Sequence, residues 1–199
     1  MTRSSAVRSL RLLAVAVVAA ALFPALATPP ALAGTACTIT GTPVDDHLSG
    51  TNGQDVICGR GGNDRIRGLG GGDILRGGDG DDNLFGNSGG DVLIGGPGSD
   101  FMVAGRGRDV ATGGRGADFS SVSSQGPDLW RGGAGRDHLT DFSGRDRIAG
   151  GTGGDACLAT QDGVGGDSIH GGPGRDIGDA DGSDTIVGVE VQGVNCFAD

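Results

Sequence analysis

Aspartate recurs every nine residues along most of the chain, and this regular spacing of carboxylates is the feature best suited to chemistry. From Gly41 the sequence divides into fifteen nine-residue repeats that end at Asp179, interrupted by one extra residue, Val122, and by a three-residue insertion at 159–161. The sixth position of every repeat is aspartate. These residues are Asp46, Asp55, Asp64, Asp73, Asp82, Asp91, Asp100, Asp109, Asp118, Asp128, Asp137, Asp146, Asp155, Asp167 and Asp176.

Two further positions of the repeat are nearly constant. Position four is glycine in fourteen repeats, with Val44 the exception, so we expect a backbone with positive φ there. Position eight is apolar in thirteen repeats, the exceptions being Ser120 and Gly178. Because positions seven to nine are rich in Ile, Leu, Val and Phe, they predict a three-residue strand that follows a six-residue turn. Such short strands need partners, so we predict coils of 18 residues in which each repeat stacks on the repeat two before it.

Stacking of this kind places aspartate above aspartate at about 4.8 Å. Carboxylates at that distance repel each other unless a positive charge lies between them. Calcium is a hard cation that takes six to eight oxygen ligands from carboxylates and backbone carbonyls, and glycine-rich turns leave their carbonyls unshielded. Magnesium is smaller and keeps its waters, so it fits less well. The pattern therefore predicts Ca²⁺ ions between stacked turns.

The repeats GGDGDDNLF and GGAGRDHLT resemble the nonapeptide GGxGxDxUx of the RTX (hemolysin-type) calcium-binding proteins. The resemblance covers residues 41–179 and implies an all-β fold, a right-handed parallel β-roll (β-solenoid). It also implies that all fifteen aspartates are calcium ligands, arranged in two rows of alternate repeats that offer at most thirteen inter-coil sites. The repeats SSQGPDLWR, DFSGRDRIA and DGVGGDSIH lack glycine at position one, so we expect weaker sites near them.

The chain begins like a secretory signal peptide. Three arginines precede an apolar run over residues 12–23, and Ala31-Leu32-Ala33 has the small-x-small pattern of a cleavage site. The run is shorter than the roughly 20 residues that span a bilayer. We expect a signal peptide at 1–33 and a secreted, extracellular protein, with cleavage after Ala27 and an uncleaved anchor as alternatives. We further expect residues 34–40 and 180–199 to cap the two ends of the repeats, because open solenoid ends expose core and sheet edges.

The four cysteines lie near the two ends of the exported part, which favours disulfides. Their grouping points to Cys37–Cys58 and Cys157–Cys196, although four cysteines allow three pairings. A zinc site is a weaker alternative, since no pair of ligands has the usual spacing.

Composition and missing motifs exclude several functional classes. The 44 glycines among 199 residues exclude a helical bundle, and the net charge of −10 argues against nucleic-acid binding. No HExxH, GxSxG or Walker motif is present, and we expect no enzyme activity. The resemblance implies calcium binding and a fold, not toxicity or proteolysis, and the protein partner stays open. The alternatives are a surface- or ice-binding solenoid, for which position two offers no threonine ladder, and an accessory or adhesive matrix protein.

Four remaining side chains receive structural interpretations. His47 and His138 at position seven and His170 at position nine flank the inward position, so we expect them to face solvent. Trp130 occupies position eight, with the small Ala111 two repeats earlier in its stack and the small Ser120 in the intervening repeat. The pattern leaves open whether its ring fills the interior beside them or faces outward.

Overall fold

The protein is built from short parallel strands. The computed structural model describes residues 36–122, 126–141, 143–160, 166–180, 184–189 and 191–192, and no helix occurs among them. The odd-numbered strands are β1 (Ile39–Thr40), β3 (Val56–Gly61), β5 (Ile74–Asp79), β7 (Val92–Pro97), β9 (Val110–Arg115), β11 (Leu129–Ala134), β13 (Arg147–Thr152), β15 (Ser168–His170) and β17 (Thr185–Val187). The even-numbered strands are β2 (His47–Ser49), β4 (Arg65–Gly70), β6 (Asn83–Ser88), β8 (Phe101–Arg106), β10 (Phe119–Val122), β12 (His138–Asp141), β14 (Cys157–Thr160), β16 (Ile177–Ala180) and β18 (Val191–Gln192).

The odd strands form one nine-stranded parallel sheet and the even strands form another. In the regular part of the chain each residue pairs with the residue 18 positions further on, as in Ile57 with Leu75 and Leu84 with Met102. This is the predicted stacking of each repeat on the repeat two before it. The fold is therefore the β-roll expected from the sequence.

The strands are longer than the sequence predicted. In the regular block they have six residues, because the ladder continues from positions seven to nine into positions one to three of the next repeat. Strand β5, for example, runs from Ile74 through two glycines to Asp79. Glycine weakens an isolated strand, but here the stacked backbones pair closely and side chains are not needed to hold them. The turns are correspondingly short and comprise positions four to six.

Each sheet contributes one row of apolar side chains, and these two rows fill the interior. Position eight supplies nearly all of this core, which consists of Ile57, Ile66, Leu75, Leu84, Leu93, Met102, Ala104, Ala111, Trp130, Leu139, Ile148, Leu158 and Ile169. Trp130 is 1 % exposed and pairs in register with Ala111 on one side and Ile148 on the other. Of the two placements that the sequence left open, the structure has the Trp130 ring in the interior, where Ala111 and the buried Ser120 leave room for the indole.

One repeat departs from the expected register. In GGTGGDACL the sequence pattern placed Cys157 at the inward position, but Leu158 is the buried residue that pairs with Leu139. Cys157 instead pairs with His138, which faces outward. The chain therefore accommodates one extra residue between Asp155 and the strand, as a β-bulge does.

The disulfide predicted near the start of the repeats is present. Cys37 and Cys58 are bonded, with their Cα atoms 6.0 Å apart, and join the segment before β1 to strand β3. Cys157 is also disulfide-bonded, while its expected partner, Cys196, lies outside the described residues.

Both sheets continue into the flanking segments. Strand β1 pairs with β3, and β17 pairs with β15 through Ile186 and Ile169. A Cβ on Gly178 would lie 3.1 Å from a methyl carbon of Val189, so Val189 covers the inward position that this repeat leaves empty. In the part of the chain that the structure describes, no helix has the length and apolar character of a membrane span. The predicted signal peptide lies outside the described residues.

Candidate metal-binding turns

The repeat aspartates form two continuous ladders along the edges of the roll. In thirteen of the fifteen carboxylates, one oxygen, Oδ1, accepts a hydrogen bond from the backbone N–H of the aspartate one coil earlier. The Asp73 N–H donates to Asp91 at 2.8 Å, and the Asp91 N–H donates to Asp109 at 2.7 Å. The same bond recurs from Asp46 to Asp176 at 2.7–3.0 Å. All fifteen predicted residues thus belong to the two rows that the sequence predicted.

The second oxygen of most of these carboxylates has no partner. Oδ2 is buried and accepts no hydrogen bond in eleven of them, namely Asp64, Asp73, Asp82, Asp91, Asp100, Asp109, Asp118, Asp137, Asp155, Asp167 and Asp176. A buried polar atom without a partner costs free energy, and a buried carboxylate costs more. A whole ladder of such atoms is the signature of a ligand that carries positive charge.

Backbone carbonyls converge on the same places. A Cβ on Gly59, at position one, would collide with Asp64 Oδ2 and lie 2.5 Å from the carbonyl oxygen of Gly77 in the next coil. A Cβ on Gly95 would meet Asp100 Oδ2 and lie 2.7 Å from the carbonyl oxygen of Gly113. Position one is therefore glycine because a carboxylate oxygen and a carbonyl oxygen share the space beside its Cα. These are the two kinds of oxygen that Ca²⁺ binds.

The backbone prediction for position four is confirmed in most repeats. Eleven position-four glycines have positive φ: Gly62, Gly71, Gly80, Gly89, Gly98, Gly107, Gly116, Gly135, Gly144, Gly153 and Gly174. Gly53 and Gly126 do not have it.

Position two is a second left-handed position that the sequence reasoning missed. Glycine occupies it in several repeats, and Arg60, Leu69 and Asn87 adopt positive φ there without being glycine. The frequent glycine at position two was the available signal.

Burial raises the pKa of the carboxyl groups in the middle of the ladders. Desolvation is the main cause, and the neighbouring aspartates above and below add repulsion. The pKa of Asp100 and of Asp109 rises to about 7. The same causes raise the pKa of Asp82, Asp91, Asp137 and Asp155 to about 6. A cation between the carboxylates removes both causes, so the raised pKa values describe the metal-free roll.

The first two repeats satisfy their carboxylates in another way. Thr51 donates both its backbone N–H, at 2.7 Å, and its hydroxyl, at 2.9 Å, to Asp55 Oδ2. Thr42 makes the same two bonds to Asp46 Oδ2, at 2.6 and 2.9 Å. The Thr51 backbone hydrogen bond holds the pKa of Asp55 below its usual range, opposite to the ladder aspartates. These two predicted ligands therefore have the contacts of an end cap.

Two other details adjust the predicted set. Ala104 is a further repeat residue without glycine at position one, which the sequence reasoning overlooked, and it is fully buried. Asp184 lies after the last repeat but accepts a hydrogen bond from the Asp167 N–H at 3.1 Å, so it continues one ladder. Its signal in the sequence was the run Asp184-Thr185-Ile186, which matches positions six to eight.

Among the described residues, no three acidic, histidine or cysteine side chains converge on one point. Each candidate site therefore combines aspartates with turn carbonyls and contains no cluster of side chains alone. Of the three histidines, His47 is exposed, whereas His138 and His170 are half-buried on the outer faces. His138 stacks on Phe119 with ring centroids 4.7 Å apart, so it is not a candidate ligand.

Comparison with known families agrees with this geometry. A family model described as the RTX calcium-binding nonapeptide repeat matches the chain in four copies, at residues 40–75, 59–93, 94–120 and 123–156. Together these matches cover more than half of the chain. No curated protein matches the chain in sequence.

Proposed function

Because the chain belongs to the family of RTX calcium-binding nonapeptide repeat proteins, we propose that it is a secreted, non-catalytic protein whose roll folds when it binds several Ca²⁺ ions. The ladder of buried, unpartnered Oδ2 atoms is the observation that carries this proposal. Calcium supplies the positive charge that these carboxylates lack. The proposed organisation is a signal peptide at 1–33, an N-terminal cap at 34–40, calcium-binding repeats at 41–179 and a C-terminal cap at 180–199.

Each ion is proposed to lie between two successive coils at one edge of the roll. Asp Oδ2 and the carbonyl of the position-one residue in the next coil supply oxygens from this chain, as at Asp64 with Gly77 and Asp100 with Gly113. Both oxygens belong to turns of the backbone. An ion bound between two coils therefore orders the turn that supplies ligands to the next ion. This linkage makes cooperative binding the expected behaviour.

The threonine-capped repeats reduce the expected number of ions. Thr42 and Thr51 already donate two hydrogen bonds each to Oδ2 of Asp46 and of Asp55, so the first gap in each row does not need a cation. We therefore propose sites from Asp64 onward in one row and from Asp73 onward in the other. The ceiling of thirteen sites implied by the repeat count falls to eleven.

Calorimetric titration with CaCl₂ of the chain freed of metal by chelation tests the proposal. The expected result is cooperative uptake of more than one ion, with much weaker heats for MgCl₂, because magnesium is smaller and keeps its waters. Uptake of no calcium would overturn the proposed function.

A further inference from the structure

The N-terminal end of the roll carries a cluster of positive charge that calcium binding does not use. His47 and Ser49 of strand β2 pair in register with Arg65 and Arg67 of strand β4. All four residues occupy positions seven and nine, so they share the outer face of the sheet formed by the even strands, and all four are exposed. We call these four residues the basic patch.

The basic patch is concave. Its four residues and Leu48 line a surface depression of about 370 Å³ at the end of the sheet where β2 is the last strand. Leu48 also lines the depression, and it is half-buried and packs against the core. An edge strand also presents unpaired backbone N–H groups, and these are donors for an anion.

No acidic side chain neutralises the patch. Nearby carboxylates are engaged in the turns: Asp46 accepts from Thr42, Asp64 from the Asp46 N–H and Asp45 from the Asn63 N–H. Within the described residues, no ion pair involves Arg65, Arg67 or His47.

One guanidinium is held in place. Arg65 lies over the ring of Phe85, 5.1 Å from its centroid, in a cation–π contact. This contact leaves the N–H donors at the edge of the guanidinium free, so Arg65 meets an anion without first losing much side-chain freedom. Arg67 lies two residues further along the same strand and face.

We propose that the basic patch is a binding site for a sulfate or phosphate group, held by Arg65 and Arg67 with His47 and Ser49 as further donors. Arg65 and Arg67 lie two residues apart on one face of β4, so their like charges repel each other, and an ion of the opposite sign relieves the repulsion. Guanidinium groups match the geometry of these oxyanions well. The site is separate from the calcium-binding turns and does not rest on them.

Titration of the full chain, folded in saturating CaCl₂, tests this site with two probes: sodium sulfate as the free ion and heparin as a polymer that carries sulfate groups. Sulfate is preferred to phosphate because it precipitates less readily with calcium. The variant R65S/R67S should weaken binding about tenfold or more, since it removes two charged donors. The control R106S/R108S removes the same charge from two exposed arginines with the same spacing, and should change binding by less than about twofold.

Binding of both probes supports a site that takes the free ion. Binding of heparin alone supports a site that takes a sulfate group carried by a polymer. Circular dichroism in calcium confirms that each variant is folded. The proposal is overturned if neither probe binds, or if the two double variants lose affinity equally. Equal losses would mean that binding follows net charge and not the basic patch.

Discussion

At the scale of single residues, the two oxygens of each repeat aspartate have different tasks. Oδ1 is a structural acceptor that ties one coil to the coil before it, while Oδ2 is left for a ligand. This division explains why no other residue occurs at position six. The amide oxygen of asparagine could accept the hydrogen bond that Oδ1 accepts, but the neutral amide cannot replace the negative charge that holds a cation.

Asp91→Asn is therefore expected to keep the shape of the turn and weaken the two calcium sites that share this residue. In a calcium titration followed by circular dichroism, its folding midpoint should move to higher calcium. Without calcium the variant should be slightly more folded than the parent, because it removes one of the stacked like charges.

The matched variant is Asp55→Asn, whose carboxylate is already bonded to Thr51. It should leave the number of bound calcium ions unchanged. A loss of ions in Asp55→Asn equal to that in Asp91→Asn would show that the threonine caps do not replace the metal.

Two adjacent glycines differ both in backbone conformation and in the space that a side chain would have. Gly71 has a φ of +106°, and a Cβ there would lie 2.6 Å from the carbonyl carbon of Gly53. Gly70 has no positive φ, and its Cβ would be 3.6 Å from the nearest atom. Gly71→Ala should therefore destabilise the calcium-bound protein by about 1–3 kcal/mol in urea unfolding, while Gly70→Ala should stay close to the parent. Equal stabilities of the two variants would refute the role of positive φ at position four.

At the scale of elements, the sequence predicted which repeats stack on each other but not the residues at which the strands begin and end. The nine-residue period aligns the position-eight residues, and two strands in each coil of 18 residues place each repeat on the repeat two before it. The strands are longer than predicted, because strand propensity favours bulky side chains and Gly77 and Gly78 of β5 have no side chain. Pairing on both sides overrides that preference. The extra residue before Cys157 was also missed, because a bulge has no signature in a single repeat.

The threonine caps of the first two repeats and the charge on the outer faces were likewise not predicted. The threonines at position two of these repeats were visible, but their role depends on a turn conformation without the positive φ that Arg60, Leu69 and Asn87 adopt at that position. Nothing in the sequence groups Arg65 and Arg67 with His47 and Ser49, and only the register between β2 and β4 brings the four together. The basic patch therefore depends on pairing between coils, whereas the threonine caps depend on hydrogen bonds within one turn.

Trp130 tests the packing of the core ladder. It is the only tryptophan of the chain and is 1 % exposed, between Ala111 and Ile148. Trp130→Ala should lower the free energy of unfolding in calcium by about 3–5 kcal/mol, because it leaves a cavity between two coils. Phe119→Ala is the control, since Phe119 is 37 % exposed on an outer face, and its loss should cost clearly less. Similar losses in urea unfolding would contradict the inward placement of Trp130.

At the scale of the whole molecule, two rows of stacked carboxylates set the conditions under which the roll is stable. The apolar core is only one residue wide from each sheet, and the chain carries a net charge of −10. Such a chain has little hydrophobic stabilisation to offset its own repulsion. Protons and calcium ions both neutralise the ladders, so we expect them to compete.

The metal-free chain should therefore fold better in mild acid than in base. In the roll the pKa of Asp100 and Asp109 is about 7, above the ordinary aspartate value near 3.8 that the unfolded chain retains. The folded state then binds more protons between these values, and its stability falls as the pH rises from about 4 to 7. In chelator, β-structure measured by circular dichroism should decrease over this pH range. An increase would contradict the raised pKa values.

The central claim is that calcium completes the roll, and circular dichroism of the chain at pH 8 tests it most directly. In excess chelator the ladder carboxylates are ionised and unpaired, so the spectrum should be that of a mostly disordered chain. Addition of millimolar CaCl₂ should produce a β-sheet spectrum cooperatively, together with a blue shift of the Trp130 emission as the indole enters the core, and equal MgCl₂ should do much less. A full β-sheet spectrum that persists in chelator at pH 8 would contradict the account.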